Sequence, residues 1–380
     1  MSNTTPATSH ADPPTPSDRS GRRFSRAALL RGAAGTTVGL GLTGSSLIRG
    51  TPTASAAPTV HKIKDLTGPG LTSAYQMEAT DLGIPTRMPD GRMIFIFGDS
   101  FARTVGDPDW RSPTALFSAT TDLAAGVTWS GAFGGDRAEQ LWAYQHDNPE
   151  FSTVLPSDVI TIGGSLYLHV MVNKGLGNVV WTEIWRSDDN GGSWVHTGAK
   201  FDAGRDNGLF QLITWGLGDD GFVYVYSTGF QRDKPIILHR VPADRIAQPD
   251  AYEPWGYAGG TWGWGNAPTP VLEGKAGEMC LRPMGGKWIL TWFDAGNYRI
   301  DSMIMDTPTS NLYEADRQTL IHGGSWGQED DTHVAQLYGG YIIPGSTLND
   351  LHLSVSQWNT TEGAGNWPYH VMQFRVQGLG

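Results

Sequence analysis

Apolar, strand-forming residues occur along this chain in short runs that adjoin glycine turns. Five such runs are DGRMIFIFGD (90–99), GGSLYLHVMV (163–172), DGFVYVYSTG (220–229), GGKWILTWFD (285–294) and GGYIIPGS (339–346). Tight turns beside strand-forming runs indicate β-hairpins, and a spacing of roughly 50 to 75 residues indicates a repeat architecture. The pattern therefore predicts an all-β fold, a five-bladed β-propeller with a central funnel-shaped active site lined by the first strand of each blade.

Three further patterns support this prediction. Few segments after residue 57 repeat with the 3.6-residue period of a helix. The runs VHKIKDL (60–66) and YHVMQFRV (369–376) have no neighbour in sequence, so we expect them to pair with each other and close the ring. The stretch SDDNGGSW (187–194) fits S-x-D-x-G-x-x-W and resembles the Asp-box turn of sialidase-type propellers, whose role is structural.

The first 56 residues are typical of an export signal rather than of a fold. Arg22 and Arg23 precede a weakly apolar run, and Ala54-Ser55-Ala56 fits an A-x-A cleavage site. We therefore predict a twin-arginine signal peptide and leader over 1–56, which is removed, and one propeller domain over 57–380. The alternative is a disordered tail followed by a membrane anchor. The predicted location is extracellular or at the cell wall.

Net charge and composition limit the classes of molecule that this protein is expected to bind. The leader contains six Arg and two Asp, so its removal changes the net charge from −11 to −15. An acidic protein is a poor partner for nucleic acid or an anionic membrane, which favours a neutral or polymeric substrate. The 15 Trp are typical of sugar-stacking surfaces or of packing between blades. The single cysteine, Cys280, excludes an internal disulfide and is expected to be buried.

Polar residues precede four of the glycine turns by several positions and are expected to point into the funnel. They are Asp81, Asp158, Gln211 and Glu278. If Asp90-Gly91 forms the first turn, Asp81 faces Ser100 across the hairpin, with Asp99 in the adjacent register. Two close carboxylates give one proton donor and one anion, which is the pair that glycoside hydrolysis needs. Asp81 and Asp99 are thus the predicted catalytic residues; the alternative is that single acids cap turns.

Other residues are expected to assist or to bind substrate. These are Asp158, Glu278, Gln211, Arg282, Trp142, Tyr144, Trp262, Trp264 and His333. The tryptophans are expected in the funnel walls or on the surface, with padding between blades as the alternative. His333 and His169 are the candidates for a central structural cation or for substrate binding, and hydrogen bonding within the core is the alternative. No metal, cofactor or nucleotide motif is present.

Four segments together resemble a known family. They are ATDLGIP (79–85), IFGDSF (96–101), YQHDNPEFSTVLPSDVI (144–160) and GEMCLRP (277–283). They resemble exported actinobacterial proteins long described as a domain of unknown function and now classed as glycoside hydrolase family 183. The resemblance covers essentially the whole chain after the leader. It implies five-bladed propellers that act as endo-D-arabinanases on mycobacterial arabinogalactan and lipoarabinomannan, with Asp81 and Asp99 as catalytic residues.

Two alternatives to this activity stay open. One is a non-catalytic, cell-surface propeller that binds glycans through its aromatic walls. The other is a different propeller hydrolase, such as a sialidase or another furanosidase. A sialidase needs an arginine cluster, for which Arg87, Arg103, Arg282 and Arg299 are available without forming a clear set. The sequence leaves open the acid and base roles within the pair, the stereochemistry, the linkage preference and the oligomeric state.

Overall fold

The structure is a computed structural model that describes residues 57–380. The predicted export signal, residues 1–56, lies outside the described residues. The regular secondary structure of the described part is almost entirely strand, which confirms the all-β class. Its few helical segments are single turns, at Ser73–Tyr75, Leu123–Ala125, Arg205–Gly208, Ala243–Arg245 and Pro249–Ala251. Within residues 57–380 no helix has the length and apolar character needed to cross a membrane.

Twenty-two strands follow one another along the described chain. In chain order they are β1 (Thr59–Asp65), β2 (Ala79–Arg87), β3 (Met93–Phe101), β4 (Thr114–Ser118), β5 (Gly131–Ala132), β6 (Thr153–Ile162), β7 (Ser165–Asn173), β8 (Val179–Ser187), β9 (Val195–Asp202), β10 (Leu212–Leu217), β11 (Phe222–Thr228), β12 (Lys234–Pro242), β13 (Glu253–Ala258), β14 (Thr261–Trp264), β15 (Leu272–Met284), β16 (Lys287–Asp294), β17 (Arg299–Met305), β18 (Asp316–Gly324), β19 (His333–Ala335), β20 (Leu337–Ile342), β21 (Asp350–Trp358) and β22 (Tyr369–Gln377).

These strands form four sheets. Two are simple four-stranded meanders, β2-β3-β4-β5 and β6-β7-β8-β9. A third has the order β1-β22-β21-β20. The fourth has ten strands, because β12 pairs with β15 at Lys234–Ala276 and Ile236–Leu272 and so joins the meander that starts at β10 to the one that starts at β15.

The expected pairing of the two terminal runs is confirmed. Strand β1 pairs antiparallel with β22, with Val60 opposite Val376. This pairing covers the outer edge of β22, which would otherwise present unpaired backbone groups. The first strands of successive meanders also contact one another in a cycle, from β2 to β6, β10, β15, β20 and back to β2. One end of this cycle carries the site described below.

The inner strands are apolar on both faces because both faces are packed. Every residue of β3 is buried, and Phe95 and Ile96 point to opposite faces without exposure. The SDDNGGSW turn has the expected structural role. Ser187 Oγ accepts a hydrogen bond from Gly191 N at 2.9 Å, and Asp189 Oδ1 accepts one from Ser193 N at 2.9 Å.

One of the five predicted glycine turns does not form. Gly339 and Gly340 lie inside β20, where the register to β21 shifts between Gly339 and Tyr341. Both have left-handed φ angles, +87° and +102°, and a Cβ on Gly340 would lie 2.9 Å from Ile300 Cγ2. These glycines therefore allow a bulge and a close approach of β20 to β17, rather than a hairpin.

Candidate functional site

A cleft opens beside the first residues of β2, β6, β10 and β20 and beside the middle of β15. Its empty space, including the part open to solvent, is about 680 Å³. The residues that line it are Asp81, Leu82, Leu155, Pro156, Met171, Leu176, Leu212, Phe230, Arg232, Glu278, Tyr338 and Trp358. Two of these residues are carboxylates and one is an arginine, while most of the others are apolar. This is the composition of a pocket in which a few polar groups orient a ligand.

The first hairpin does not have the predicted register. Thr80, not Asp81, lies opposite Ser100, and the pairing shifts on both sides of Leu82. Leu82 and Gly83 have left-handed φ angles of 67° and 65°. A neighbouring strand, β21, holds this bulge: Ser356 Oγ accepts from Leu82 N at 2.8 Å, and Ser354 Oγ donates to Gly83 O at 2.6 Å. The offset from the predicted register begins at the turn, where Arg87 already pairs with Met93, and the two shifts beside Leu82 cancel by Thr80.

The position of Asp81 in the cleft depends on the hydroxyl of Tyr338 and on the lack of a side chain at Gly98. The hydroxyl of Tyr338 donates to Asp81 Oδ2 at 2.8 Å. A Cβ on Gly98 would lie only 2.4 Å from Asp81 Oδ1. The carboxylate therefore lies directly against the backbone of Gly98, and no larger residue fits there without moving it. The side chain is nonetheless almost completely buried, with 4% of the residue exposed.

Glu278 is the second carboxylate of the cleft, and Arg232 accompanies it. A guanidinium nitrogen of Arg232 donates to Glu278 Oε1. The same guanidinium lies 4.9 Å from the ring centre of Tyr338. Glu278 Oε2 is buried and has no hydrogen-bond partner within residues 57–380. A buried polar oxygen without a partner is costly, so this atom is suited to accept a hydrogen bond from a bound ligand.

Asp99 lies beside this cleft rather than in its lining. Its Oδ1 accepts from Trp110 Nε1 at 2.8 Å and from Thr153 Oγ1 at 3.3 Å. Tyr144 braces the same region, donating to Ser112 O and accepting from Val154 N at 3.1 Å. Burial raises the pKa of Tyr144 well above its ordinary value, so its hydroxyl stays protonated. Asp99 directly follows Gly98, whose backbone lies against the carboxylate of Asp81. The two acids are therefore neighbours across the first hairpin.

Asp158 and Arg282 form a buried ion pair further along β6 and β15. Arg282 Nη1 and Nη2 donate to the two oxygens of Asp158 at 3.0 and 2.9 Å. Asp158 also accepts from Thr214 Oγ1 at 2.7 Å and from Trp215 N at 2.8 Å. Burial opposes the charge of Arg282, but Asp158, together with the nearby Cys280 and Tyr341, raises the pKa of the guanidinium. Neither residue lines the cleft.

Gln211 supports the cleft indirectly. Its Oε1 accepts from Phe230 N at 3.2 Å and its Nε2 donates to Ala203 O at 2.9 Å. These bonds hold the loop between β11 and β12, which supplies Phe230 and Arg232 to the cleft. Arg232 was not among the predicted site residues, because nothing in the loop sequence GFQRD indicates which strand the loop will cover.

The predicted tryptophans lie elsewhere. Trp142 stacks on Trp185 of β8, with ring centres 3.9 Å apart and an angle of 7° between the planes. Trp262 and Trp264 lie on the hairpin β13–β14, which extends the sheet beyond β12. None of the three lines the cleft. The aromatic residues that do line it are Phe230, from the loop between β11 and β12, and Tyr338 and Trp358, from strands β20 and β21. None of them was a predicted site residue.

The two predicted cation ligands, His333 and His169, differ in their burial. His333 is half-exposed and lies 3.1 Å from Asp330. His169 is fully buried, and burial lowers its pKa to about 3. Among residues 57–380, no group of three or more His, Cys, Asp or Glu side chains is arranged to hold a metal ion. Cys280 is buried and accepts from Ile342 N at 3.3 Å, and burial raises its pKa to about 11.

Comparison with known sequences shows a family match over most of the chain. Residues 67–375 match the family described as "Domain of unknown function (DUF4185)". An uncharacterized 35.9 kDa protein in the asd 3' region of Mycolicibacterium smegmatis is 30% identical over 326 residues, which cover 81% of this chain and 95% of that protein. The "Notoamide biosynthesis cluster protein J'" of Aspergillus versicolor is 29% identical, covering 84% of this chain and 91% of that protein.

Comparison with solved structures shows a shared fold at low identity. A Bacteroides ovatus protein, provisionally assigned as a hydrolase, matches with a TM-score of 0.60 and 14% identity over 86% of this chain and 93% of its own. A family 117 glycoside hydrolase of Zobellia galactanivorans matches with a TM-score of 0.53 and 12% identity, over 86% of this chain and 92% of its own.

Proposed function

Since this chain belongs to the family described as "Domain of unknown function (DUF4185)", we propose its function from the cleft: an exported glycoside hydrolase that cuts internal α-D-arabinofuranosyl linkages of mycobacterial arabinogalactan and lipoarabinomannan. The observation that carries this proposal is the pair of buried carboxylates, Asp81 and Glu278, in one cleft. The similarity to glycoside hydrolase family 183 supports the substrate, and the Mycolicibacterium relative is consistent with it.

The proposal includes a five-bladed propeller with the cleft at its central funnel. Five antiparallel meanders whose first strands contact one another in a cycle support this interpretation. In it, the β12–β15 pairing is a contact between two neighbouring blades, which explains why there are four sheets rather than five. A fold neighbour that is a family 117 glycoside hydrolase supports glycosidase chemistry on such a scaffold.

Two carboxylates are what glycoside cleavage requires. One donates a proton to the leaving oxygen while the other either attacks the anomeric carbon or activates a water molecule. We propose that Asp81 is one of the two. Glu278 is the partner that the cleft favours, because it lines the same space as Asp81 and its Oε2 has no hydrogen-bond partner within residues 57–380. Asp99 lies outside this lining and accepts from Trp110 and Thr153. In this proposal Asp99 has a positioning role: its hydrogen bonds with Trp110 and Thr153 fix the end of β3 that lies beside Asp81.

Neighbouring side chains orient the two carboxylates. Tyr338 aims the carboxylate of Asp81 through its hydroxyl, and Arg232 orients Glu278 while packing over the Tyr338 ring. Arg232 is the one arginine in the cleft lining, and it is already paired. A sialidase needs several arginines free to bind the substrate carboxylate, so this cleft is better suited to a neutral sugar.

The test is incubation of residues 57–380 with purified mycobacterial arabinogalactan, following the products by size. We expect wild-type protein to release short D-arabino-oligosaccharides, and Asp81→Asn and Glu278→Gln to release none at the same enzyme concentration. Asp306→Asn is the matched control, because Asp306 is an acid on the surface, with 76% of its side chain exposed. Active Asp81→Asn protein would contradict the assignment.

A second candidate is a binding protein for the same glycans without catalysis. It is favoured by one observation, that each acid of the cleft already has a hydrogen-bond donor, Tyr338 for Asp81 and Arg232 for Glu278. Retention of intact arabinogalactan without shorter products from wild-type protein would support this candidate over the hydrolase.

A further inference from the structure

Four aromatic residues share one face of the hairpin β13–β14. Trp255 pairs with Trp264 and Tyr257 pairs with Trp262 across the two strands. Since side chains alternate between the faces of a strand, both pairs point to the same side. In the sheet order, β13 and β14 lie three and four strands away from β10, whose first residue reaches the cleft, and therefore about 14 and about 19 Å from it at the usual strand spacing.

The inner pair anchors the hairpin to the body of the protein. Trp264 packs against Tyr224 with ring centres 6.0 Å apart, and the guanidinium of Arg240 lies 4.3 Å from the Trp264 ring centre. Trp255 lies 4.8 Å from Trp264 and stacks on Trp262 at 6.1 Å with an angle of 16°. The anchored pair therefore supports the next ring outward.

The outer pair, Tyr257 and Trp262, is exposed. Their exposed fractions are 53% and 40%, and their ring centres are 5.7 Å apart. Most large apolar residues of the described chain are buried. Two large aromatic rings side by side at the surface, supported from below, form a platform that loses little conformational freedom when it binds.

The opposite face of the hairpin is closed by its own chain. Gly256 and Gly263 pair across the strands, and a Cβ on Gly256 would lie 1.8 Å from Ala267 O. Asn266 Nδ2 donates to Gly256 O at 3.1 Å. The segment after β14 thus folds over the glycine face, and the aromatic face is the one left for a ligand.

The platform is also uncharged. Residues 254–272 contain no charged side chain, in a chain with a net charge of −11. Arg240 and Glu253, the charged residues beside the inner pair, are paired with each other. The C–H faces of a neutral sugar pack well on aromatic rings, whose faces carry negative partial charge. We propose that Tyr257 and Trp262 form a second binding site for a neutral polysaccharide, separate from the cleft; its ligand class rests on the proposed function.

The test compares retention in gels that contain soluble neutral polysaccharides, one per gel: mycobacterial arabinogalactan, a mannan, a galactan and a glucan. All proteins carry Asp81→Asn to prevent turnover. We expect the Tyr257→Ala/Trp262→Ala double variant to bind at least one polysaccharide about tenfold more weakly than its parent. Tyr313→Ala is the matched control, since Tyr313 is an aromatic residue with 62% exposed, and it should leave retention unchanged.

The outcomes separate this inference from the proposed function. Retention that depends on the platform, with any of these polysaccharides, supports the second site even if wild-type protein releases no arabino-oligosaccharides. Equal retention of the parent and the double variant in all four gels overturns it, whether or not arabinan is cleaved. Size-exclusion chromatography adds the competing outcome: a wild-type dimer that the double variant converts to a monomer would make the platform a self-association surface and overturn the proposal.

Discussion

Asp158 and Glu278 lie on strands β6 and β15, which contact β10 on its two sides. The two carboxylates differ in how many hydrogen bonds they accept. Asp158 accepts hydrogen bonds from five donors, which are Val159 N, Thr214 Oγ1, Trp215 N and both terminal nitrogens of Arg282. Glu278 accepts from Arg232 alone, and its second oxygen has no partner in the described part of the chain. Both carboxylates are buried, so burial by itself does not distinguish them.

The difference shows that the number of donors around a buried acid indicates its role. A fully bonded ion pair stabilises one arrangement of strands, and its removal leaves an uncompensated charge. An acid that lines a cleft and has one oxygen without a hydrogen-bond donor can accept that hydrogen bond from a ligand.

Tyr341 lies near both acids. Burial, followed by the negative charges of Glu278, Asp158 and Asp81, raises the pKa of its hydroxyl well above the ordinary value.

The largest effect is expected from Glu278→Gln. If Glu278 is a catalytic acid or base, the rate falls by a factor of about 10² to 10⁴, because the amide keeps the shape but neither donates nor accepts the proton in the same way. The melting temperature should stay within a few degrees of wild type. Turnover is measured on arabinogalactan, and a rate within twofold of wild type would place the chemistry elsewhere.

Arg282→Met should act in the opposite manner. Removing one partner of the buried pair leaves Asp158 charged and unpaired, which costs about 3–5 kcal/mol of unfolding free energy. Denaturant unfolding measures this loss. The double variant Asp158→Leu/Arg282→Met should regain a large part of it. If Arg282→Met unfolds at the wild-type denaturant concentration, the ion pair is not a structural element.

Gly98→Ala tests how closely Asp81 is positioned. The added methyl would displace the Asp81 carboxylate, and a shift of about 1 Å at a reacting group can cost about 10² in rate. We expect a lower kcat on arabinogalactan with a small change in stability. Gly91→Ala is unsuitable as a control because Gly91 has a φ angle of 88°. Ala115→Gly, on the neighbouring strand β4, removes a buried methyl instead and should change stability more than rate.

The smallest effect concerns His169, which pairs with Asp158 across β6 and β7. Its pKa is lowered to about 3 by burial, so protonation favours the unfolded chain, where the pKa is about 6.5. Its contribution to stability is complete above pH 6.5 and is lost as the pH falls toward 3. Between pH 7 and 5, wild type should lose about 2 kcal/mol more than His169→Phe. Parallel pH curves would contradict this.

Much of the architecture was predictable because it depends on local patterns. The apolar runs predicted the all-β class, and the two unpaired terminal runs predicted the β1–β22 pairing, as Val60 and Val376 show. The SDDNGGSW turn was predictable because Ser187 and Asp189 bond backbone within a few residues. Asp81 and Glu278 were found because they occupy comparable positions before their turns.

What the sequence by itself determined is therefore the all-β class, the β1–β22 pairing and the presence of acids on β2, β6 and β15. The tertiary structure alone decided which acids face the cleft. Asp158 is neutralised by Arg282, 124 residues away, and Arg232 reaches Glu278 from a loop between other strands. The bulge at Leu82 depends on Ser354 and Ser356, more than 270 residues further along the chain. Such contacts carry no local signal, because they arise only when distant strands pack together.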